Sequence, residues 1–325
     1  MKKIVVVATR ARAAETGVLF DLLLDQDERP DAVYAVGVDP ADLRGLDAHP
    51  LCAAVPVRLL LADRAGSTVQ RNWGIEAALG DVERAAADVA ADEVADAAAA
   101  DAAAPREPWF VAFFDDDFRP HRAWLRQCAA VFGADPGIVG LTGRVLADGV
   151  KSRGLSEAEA ARYLAGECAP QPHWASGDAR REIESAYGCN MAFVGRAVRG
   201  LRFDESLPLY GWQEDQDYTS RARRLGQMVY EPACRGVHLG VKKGRTSGVR
   251  FGYSQIVNPL FLVKKNTMAR RKACVFIVRH LLSNVAHSVR RDPVFDYRGR
   301  LRGNLIAIAD CLRGANHPGR ILELV

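Results

Sequence analysis

Disulfide-forming and metal-chelating cysteine patterns are missing from this chain of 325 residues. Its seven cysteines (52, 128, 168, 189, 234, 274 and 311) include no CxxC pair and join no Cys/His cluster. A scattered, odd-numbered set excludes a disulfide-stapled scaffold and predicts free thiols in a reducing compartment, the cytoplasm. Long hydrophobic runs are missing too. No apolar stretch approaches the roughly 20 residues that cross a bilayer. Ile4-Val5-Val6-Val7 behind Met1-Lys2-Lys3 is shorter than the roughly 7–15-residue core of a secretory signal. A cytoplasmic protein, soluble or peripheral on the inner face of the membrane, is expected. Three signatures are also absent: GxGxxG after the first strand, GxxxxGK[ST] and GxSxG. Their absence argues against a dinucleotide site of that type, a P-loop NTPase and an α/β-hydrolase.

What is present is a globular balance, 49% hydrophobic and 26% charged, with chain enough for one large α/β domain or two modest ones. Charge is unevenly placed. From Arg235 onward there are 18 Lys and Arg against four Asp and Glu; since the whole chain is +4, residues 1–234 carry about −10. A basic C-terminal part points to an anionic partner.

Buried β-branched runs at Ile4–Ala8, Ala32–Val38 and Val55–Leu61 alternate with helical stretches carrying Val18, Leu19, Leu22 and Leu23, then Gly66–Leu79. That alternation predicts a parallel sheet with helices on both faces and ligands beyond the carboxyl ends of its strands. Residues 81–104 hold 13 alanines, with seven acidic residues against one basic, and read as a solvated insertion, helical or frayed. The strand pattern resumes at Trp109–Phe114. Pro120 is placed to open the next helix, with Trp124, Leu125 and Cys128 on its inner face. Ile138–Val145 reads as a strand, 148–182 as a mobile polar loop, and 187–237 as a second sheet-and-helix region. Amphipathic basic helices come after Gly240.

Asp115-Asp116-Asp117 ends an apolar strand. Adjacent carboxylates repel one another, and hard divalent ions such as Mg2+ or Mn2+ offset that; capping of a following helix accounts for one Asp, not three. The second acidic group is Glu214-Asp215-Gln216-Asp217. In a first helical turn it either complements the macrodipole or aims a general base into a cleft. Tyr187-Gly188-Cys189-Asn190 is a small-residue bend, where Asn190 is placed either to bind a hydroxyl or simply to form a bulge. His238 stands ahead of Lys242-Lys243-Gly244-Arg245-Thr246-Ser247, which has the composition of a phosphate-binding loop.

Taken in order, these segments resemble a family 2 glycosyltransferase of the GT-A fold, an α/β mixed sheet flanked by helices. The resemblance runs from Ile4 to about Lys265 through VVVATR (5–10), LLLDQ (22–26), AVGVD (35–39), QRNWGI (70–75) and FFDDD (113–117). It continues through YGCNMAF (187–193), FDESLPLYGWQEDQDY (203–218) and the His with its basic GRTS stretch. It implies a nucleotide-diphosphate sugar as donor, bound by Thr9, Arg10, Asp39, Arg71 and Arg245. Asp115 and Asp117 would form the DxD signature, with Asp116 able to replace either, and His238 would complete the shell of a Mn2+ or Mg2+ ion. Asp215 would be the general base beside Glu214, and Asn190, Tyr210 and Trp212 would meet the acceptor. Tyr210 and Trp212 are equally suited to packing the base-bearing helix. Two departures concern the nucleobase pocket: Arg-Ala-Arg after Thr9 replaces the usual Tyr-Asn-Arg, and Asp39 precedes Pro40 instead of a second acid.

The expected organisation is a transferase domain over 1–248, interrupted by the Ala-rich insertion at about 81–106, and a basic helical extension over 249–325. In the extension Cys274, Val278, Leu281, Leu282 and Val285 recur at helical spacing beside Arg270-Arg271-Lys272, Arg279 and Arg290-Arg291. That stripe either packs on the domain or lies on anionic lipid, next to a glycan or lipid-linked acceptor. Nucleic acid is not expected, since no aromatic residues interleave the basic ones. The implied activity is inverting sugar transfer in bacterial surface polysaccharide or glycolipid synthesis. The rival readings are a non-catalytic glycan- or membrane-binding module on the same fold, and a sugar-nucleotide nucleotidyltransferase.

Overall fold

The computed structural model describes residues 1–96, 108–243, 247–289 and 292–324. In chain order the elements are β1 (Lys2–Ala8), α1 (Ala13–Leu24), β2 (Ala32–Gly37), α2 (Leu51–Ala54), β3 (Val57–Leu61), α3 (Ser67–Asp96), β4 (Trp109–Asp115) and β5 (Phe118–Pro120). They continue with α4 (Trp124–Ala134), β6 (Ile138–Asp148), α5 (Glu157–Leu164), β7 (Arg181–Glu182), β8 (Asn190–Val194), α6 (Gly195–Gly200), α7 (Glu214–Ala222) and β9 (Gln227–His238). Three helices complete the chain: α8 (Gly248–Lys264), α9 (Arg270–Ser288) and α10 (Tyr297–Leu312).

The strands make one sheet in the order β3-β2-β1-β4-β8-β6-β9-β5, with β7 added on β9. β1 pairs in parallel with β2 and β4, and β2 with β3. β8 runs antiparallel between β4 and β6, after which β9 is again parallel to β6. Six strands (β1, β2, β3, β4, β6, β9) therefore point the same way, and their carboxyl ends share one edge. The central strands are buried on both faces, as the unbroken runs Ile4–Val7 and Phe110–Phe114 require.

The alternating parallel half is where the sequence predicts it, while three expectations are corrected. The region after residue 187 is no second sheet, because β8 splices it into the first. Pro120 opens no helix; it ends β5, the terminal strand of the sheet, where a residue without an N–H costs no ladder bond. The polar stretch 148–182 contains α5, started by a reciprocal capping box between Ser156 and Glu159. The Ala-rich stretch continues α3 as far as Asp96; residues 97–107 lie outside the described residues. Helices α8 and α10 share a small core of Val249, Tyr253, Ile256, Val257 and Ala307.

Candidate active site

The shared strand edge collects the acidic residues. Asp115 closes β4, Asp148 closes β6 and His238 closes β9. The short strand β5 then fixes their spacing: Phe118 pairs across the ladder with His238, so Asp117, one residue earlier, is brought beside the imidazole. His238 Nε2 lies 3.3 Å from Asp117 Oδ1, and Nδ1 lies 3.1 Å from Asp148 Oδ1. Oxygen or nitrogen atoms of Asp115, Asp117 and His238 all lie within 4.8 Å of one another. Two hard carboxylates and an imidazole whose far nitrogen meets another carboxylate fit a divalent cation. Burial disfavours a charged His238, yet Cys189, Asp117 and Tyr187 beside it hold the ring's pKa above the ordinary value. Burial also opposes ionisation of Asp117, but His238 and Arg12 more than offset it and keep that acid well below the usual carboxylate range.

The DDD triplet takes a single register. Asp116 turns away to accept from Arg12 at 2.8 Å, so the DxD pair is Asp115 and Asp117. Burial pushes Asp116 up to about 7 in spite of Arg12. Arg12 also donates to the carbonyls of Val241 and Lys243 (3.0 and 2.9 Å), and the Val241 amide donates to Asp117 Oδ2 at 2.7 Å. The segment after His238 is thereby tied across the acidic cluster. Arg245 lies outside the described residues.

A second cluster faces the first. Arg71, on the first turns of α3, is 3% exposed; it pairs with Glu214, reaches Asp115 at 2.8 Å and donates to the Gly188 carbonyl at 3.0 Å. It joins the DxD strand to the first turn of α7. Asp215 Oδ2 accepts the Gly188 amide at 3.1 Å, and its other oxygen accepts the Gln216 amide at 2.7 Å. Burial, with Asp215 adjoining, pushes Glu214 up to about 8, and burial also raises Asp215. One guanidinium facing three carboxylates leaves room for a retained proton. Asp217, which shares the Glu214 face, is wholly buried against Arg221 (2.8 Å), Lys265 (2.8 Å) and the Thr267 hydroxyl (2.8 Å), and faces no cleft.

Other predicted residues fall elsewhere. Asn190 is fully buried in β8, where its Oδ1 accepts from Trp124 Nε1 at 2.8 Å; it holds the sheet to α4 and meets no solvent. Thr9 is buried, in contact with the Thr16 hydroxyl at 2.9 Å, while Arg10 is exposed. Asp39 is exposed and caps a short turn. The acid that organises this end of the sheet is Asp42, which sequence reasoning missed. It is buried and accepts the amides of Ala11 (2.6 Å), Val38 (2.9 Å) and Asp39 (3.0 Å). The Asp39-Pro40-Ala41-Asp42 spacing of a capping box was its available signal. Arg12, Asp148 and Tyr187 were also missed; Tyr187 donates to Asp148 at 2.8 Å. Tyr210 is 54% exposed at the cleft edge, whereas Trp212 packs edge-on against His280 (5.1 Å) and near Phe251 (6.0 Å).

No family model and no curated protein matches the chain. Solved structures do. Residues 1–349 of TarS from S. aureus align over 100% of this chain and 83% of their own length, with a TM-score of 0.55 at 15% identity. The same protein in complex with UDP-GlcNAc covers 100% and 84% (TM-score 0.53, 14% identity), and in complex with UDP 90% and 76% (TM-score 0.52, 14% identity). The mixed sheet, its flanking helices and the helical C-terminal region together carry the fold of TarS.

Proposed function

We propose that this protein transfers a sugar from a nucleoside-diphosphate sugar to a hydroxyl of a glycan or lipid-linked acceptor, with inversion at the anomeric carbon. One observation carries the reading: three side chains whose ligand atoms lie close enough to share a cation, Asp115, Asp117 and His238, and the carboxylate pair of buried Glu214 and half-buried Asp215 lie at one strand edge, joined by Arg71. The UDP and UDP-GlcNAc complexes of TarS support a uridine nucleotide as the first donor to try. Surface polysaccharide or glycolipid assembly at the inner face of a bacterial membrane is the setting we assign.

Asp115, Asp117 and His238 would hold Mn2+ or Mg2+, which when bound neutralises charge building on the departing diphosphate. Asp148 keeps the His238 ring oriented. Arg71 fixes Asp115 and Glu214 at a set separation. Asp215 takes the proton of the acceptor hydroxyl as its oxygen attacks the anomeric carbon from the side opposite the diphosphate. The carbon–oxygen bond to phosphate breaks with its electron pair leaving on the phosphate. Burial raises both carboxyls of this pair, Glu214 up to about 8, and Asp215 serves as base in its ionised form.

A thermal-shift series with UDP, GDP, TDP and CMP, each with and without Mn2+, tests the donor half. A ligand at about 100 times its dissociation constant adds roughly 2.7 kcal/mol. Mn2+-dependent stabilisation by one nucleotide, lost in Asp117→Ala, is expected. Stabilisation by none of them at saturating concentrations would move the protein to the non-catalytic reading.

A further inference from the structure

The outward face of α9 belongs neither to the core nor to the cleft. Val275, Val278, Leu282, Val285 and Val289 recur at intervals of three and four, the spacing of one helix face. They are 55, 53, 63, 47 and 80% exposed. Cys274 and Ala286 beside them are exposed as well. Single exposed apolar residues are ordinary, but a continuous row about 20 Å long is not. The neighbouring α10 leaves Leu305 and Leu312 exposed. No helix among the described residues is long and apolar enough to cross a membrane, so this surface cannot be a buried span.

Charge decides the occupant. Helix α9 holds no acidic residue, and residues 249–325 carry 14 Lys and Arg against four Asp and Glu. Arg271 and Arg279 on α9, and Arg298, Arg302 and Arg313 from the stretch of α10, are exposed. A second copy laid on this face would bring two such basic surfaces together with no acid on either α9 to pair them. Anionic headgroups supply the missing charge, and their acyl boundary takes the apolar row. We propose that the exposed face of α9 docks the protein flat on an anionic lipid bilayer.

The opposite side of α9 gives this docking a consequence. Phe276 and His280 meet the Trp212 ring at 6.4 and 5.1 Å, and Lys272 donates to Gln216, the neighbour of Asp215. A bilayer on the outer face thus lies about one helix diameter, roughly 10 Å, from the first turn of α7. Only this consequence for a lipid-linked acceptor rests on the catalytic reading; the docking does not.

The test floats the full chain with vesicles of phosphatidylcholine alone or mixed with phosphatidylglycerol, in the absence of nucleotide. The wild type is expected to float with the mixed vesicles only, less so at high salt. The Val278→Ser, Leu282→Ser double variant is expected to lose roughly tenfold or more in vesicle affinity with its melting temperature unchanged. If that variant does not fold, Leu305→Ser with Leu312→Ser serves in its place. No flotation, or equal flotation by a folded variant, overturns the proposal. So does a solution dimer that the substitutions dissolve, which would give the face to a second copy.

Discussion

Glu214 and Asp215 are neighbours in the chain that meet opposite surroundings. Glu214 pairs with Arg71, while Asp215 accepts the backbone amides of Gly188 and Gln216 and is the less buried of the two. Asp215→Asn keeps the side chain's shape and one of its two amide contacts, since Nδ2 cannot accept an N–H, and removes the base. Turnover of the donor that stabilises the protein should fall on the order of 10²–10⁴-fold, with nucleotide affinity unchanged; retained turnover would remove Asp215 from its role. Glu214 has a different signature. Its folded pKa lies above that of an unfolded glutamate, so the folded state binds the extra proton. The stability it contributes is complete below about 4.5 and is lost as pH rises toward about 8. Glu214→Gln should therefore gain on the wild type as pH rises through that window, by up to about 1.4 kcal/mol per pH unit, in urea titrations at pH 5.5 and 8.5. A difference independent of pH would contradict the assignment. Neither behaviour was legible locally. The Arg71–Glu214 pair joins residues 143 apart, and only the fold shows which of two adjacent acids is already engaged. Asn190 misled for the same reason: its burial against Trp124 comes from α4, not from its own segment.

At the scale of elements, α3 reaches β1 through a glycine. A Cβ on Gly74 would sit 2.4 Å from Val6 Cγ1. In an exposed helix interior, alanine for glycine adds about 1 kcal/mol of stability; here overpacking reverses the sign. Gly74→Ala should cost about 1–3 kcal/mol in unfolding free energy. Because Arg71 lies one turn away on the same helix, it should also weaken nucleotide binding. A stabilised variant with unchanged binding would show that α3 moves freely on β1. The elements readable from sequence are those whose residues see one environment throughout, such as β1, β2 and β4, buried on both sides. Those that escaped are built on contacts made elsewhere. β5 has three residues and exists because β9 lies beside it, and that pairing brings His238 to Asp117. A long polar stretch hid α5, although Ser156 and Glu159 marked its start.

For the molecule as a whole, the change to basic helices after Gly240 invites a division at residue 248, and the packing opposes treating α8, α9 and α10 as an appendage. Asp217, at the heart of α7, depends on Lys265 and Thr267 from beyond that point, and Gln216 donates to the Thr267 carbonyl at 3.0 Å. Leu207 is wholly buried in a cluster otherwise made of Leu262, Met268 and Ala273. Asn258 holds the Trp212 carbonyl at 2.8 Å, two residues before Glu214. A chain ending at Gly248 would keep every donor and cation residue described here, yet leave Asp217 with Arg221 alone and Leu207 in water. Each charged hydrogen bond lost is worth about 1.5–3 kcal/mol and the leucine about 1.5–3 kcal/mol more, a large share of the roughly 5–15 kcal/mol that holds a domain folded. The shortened chain should melt well below the full one and be cut rapidly within 203–222 under limited proteolysis, and adding UDP with Mn2+ should not restore it. Equal melting temperatures for the two chains would mean instead that the base helix is carried by the sheet alone, with the C-terminal helices left for the membrane.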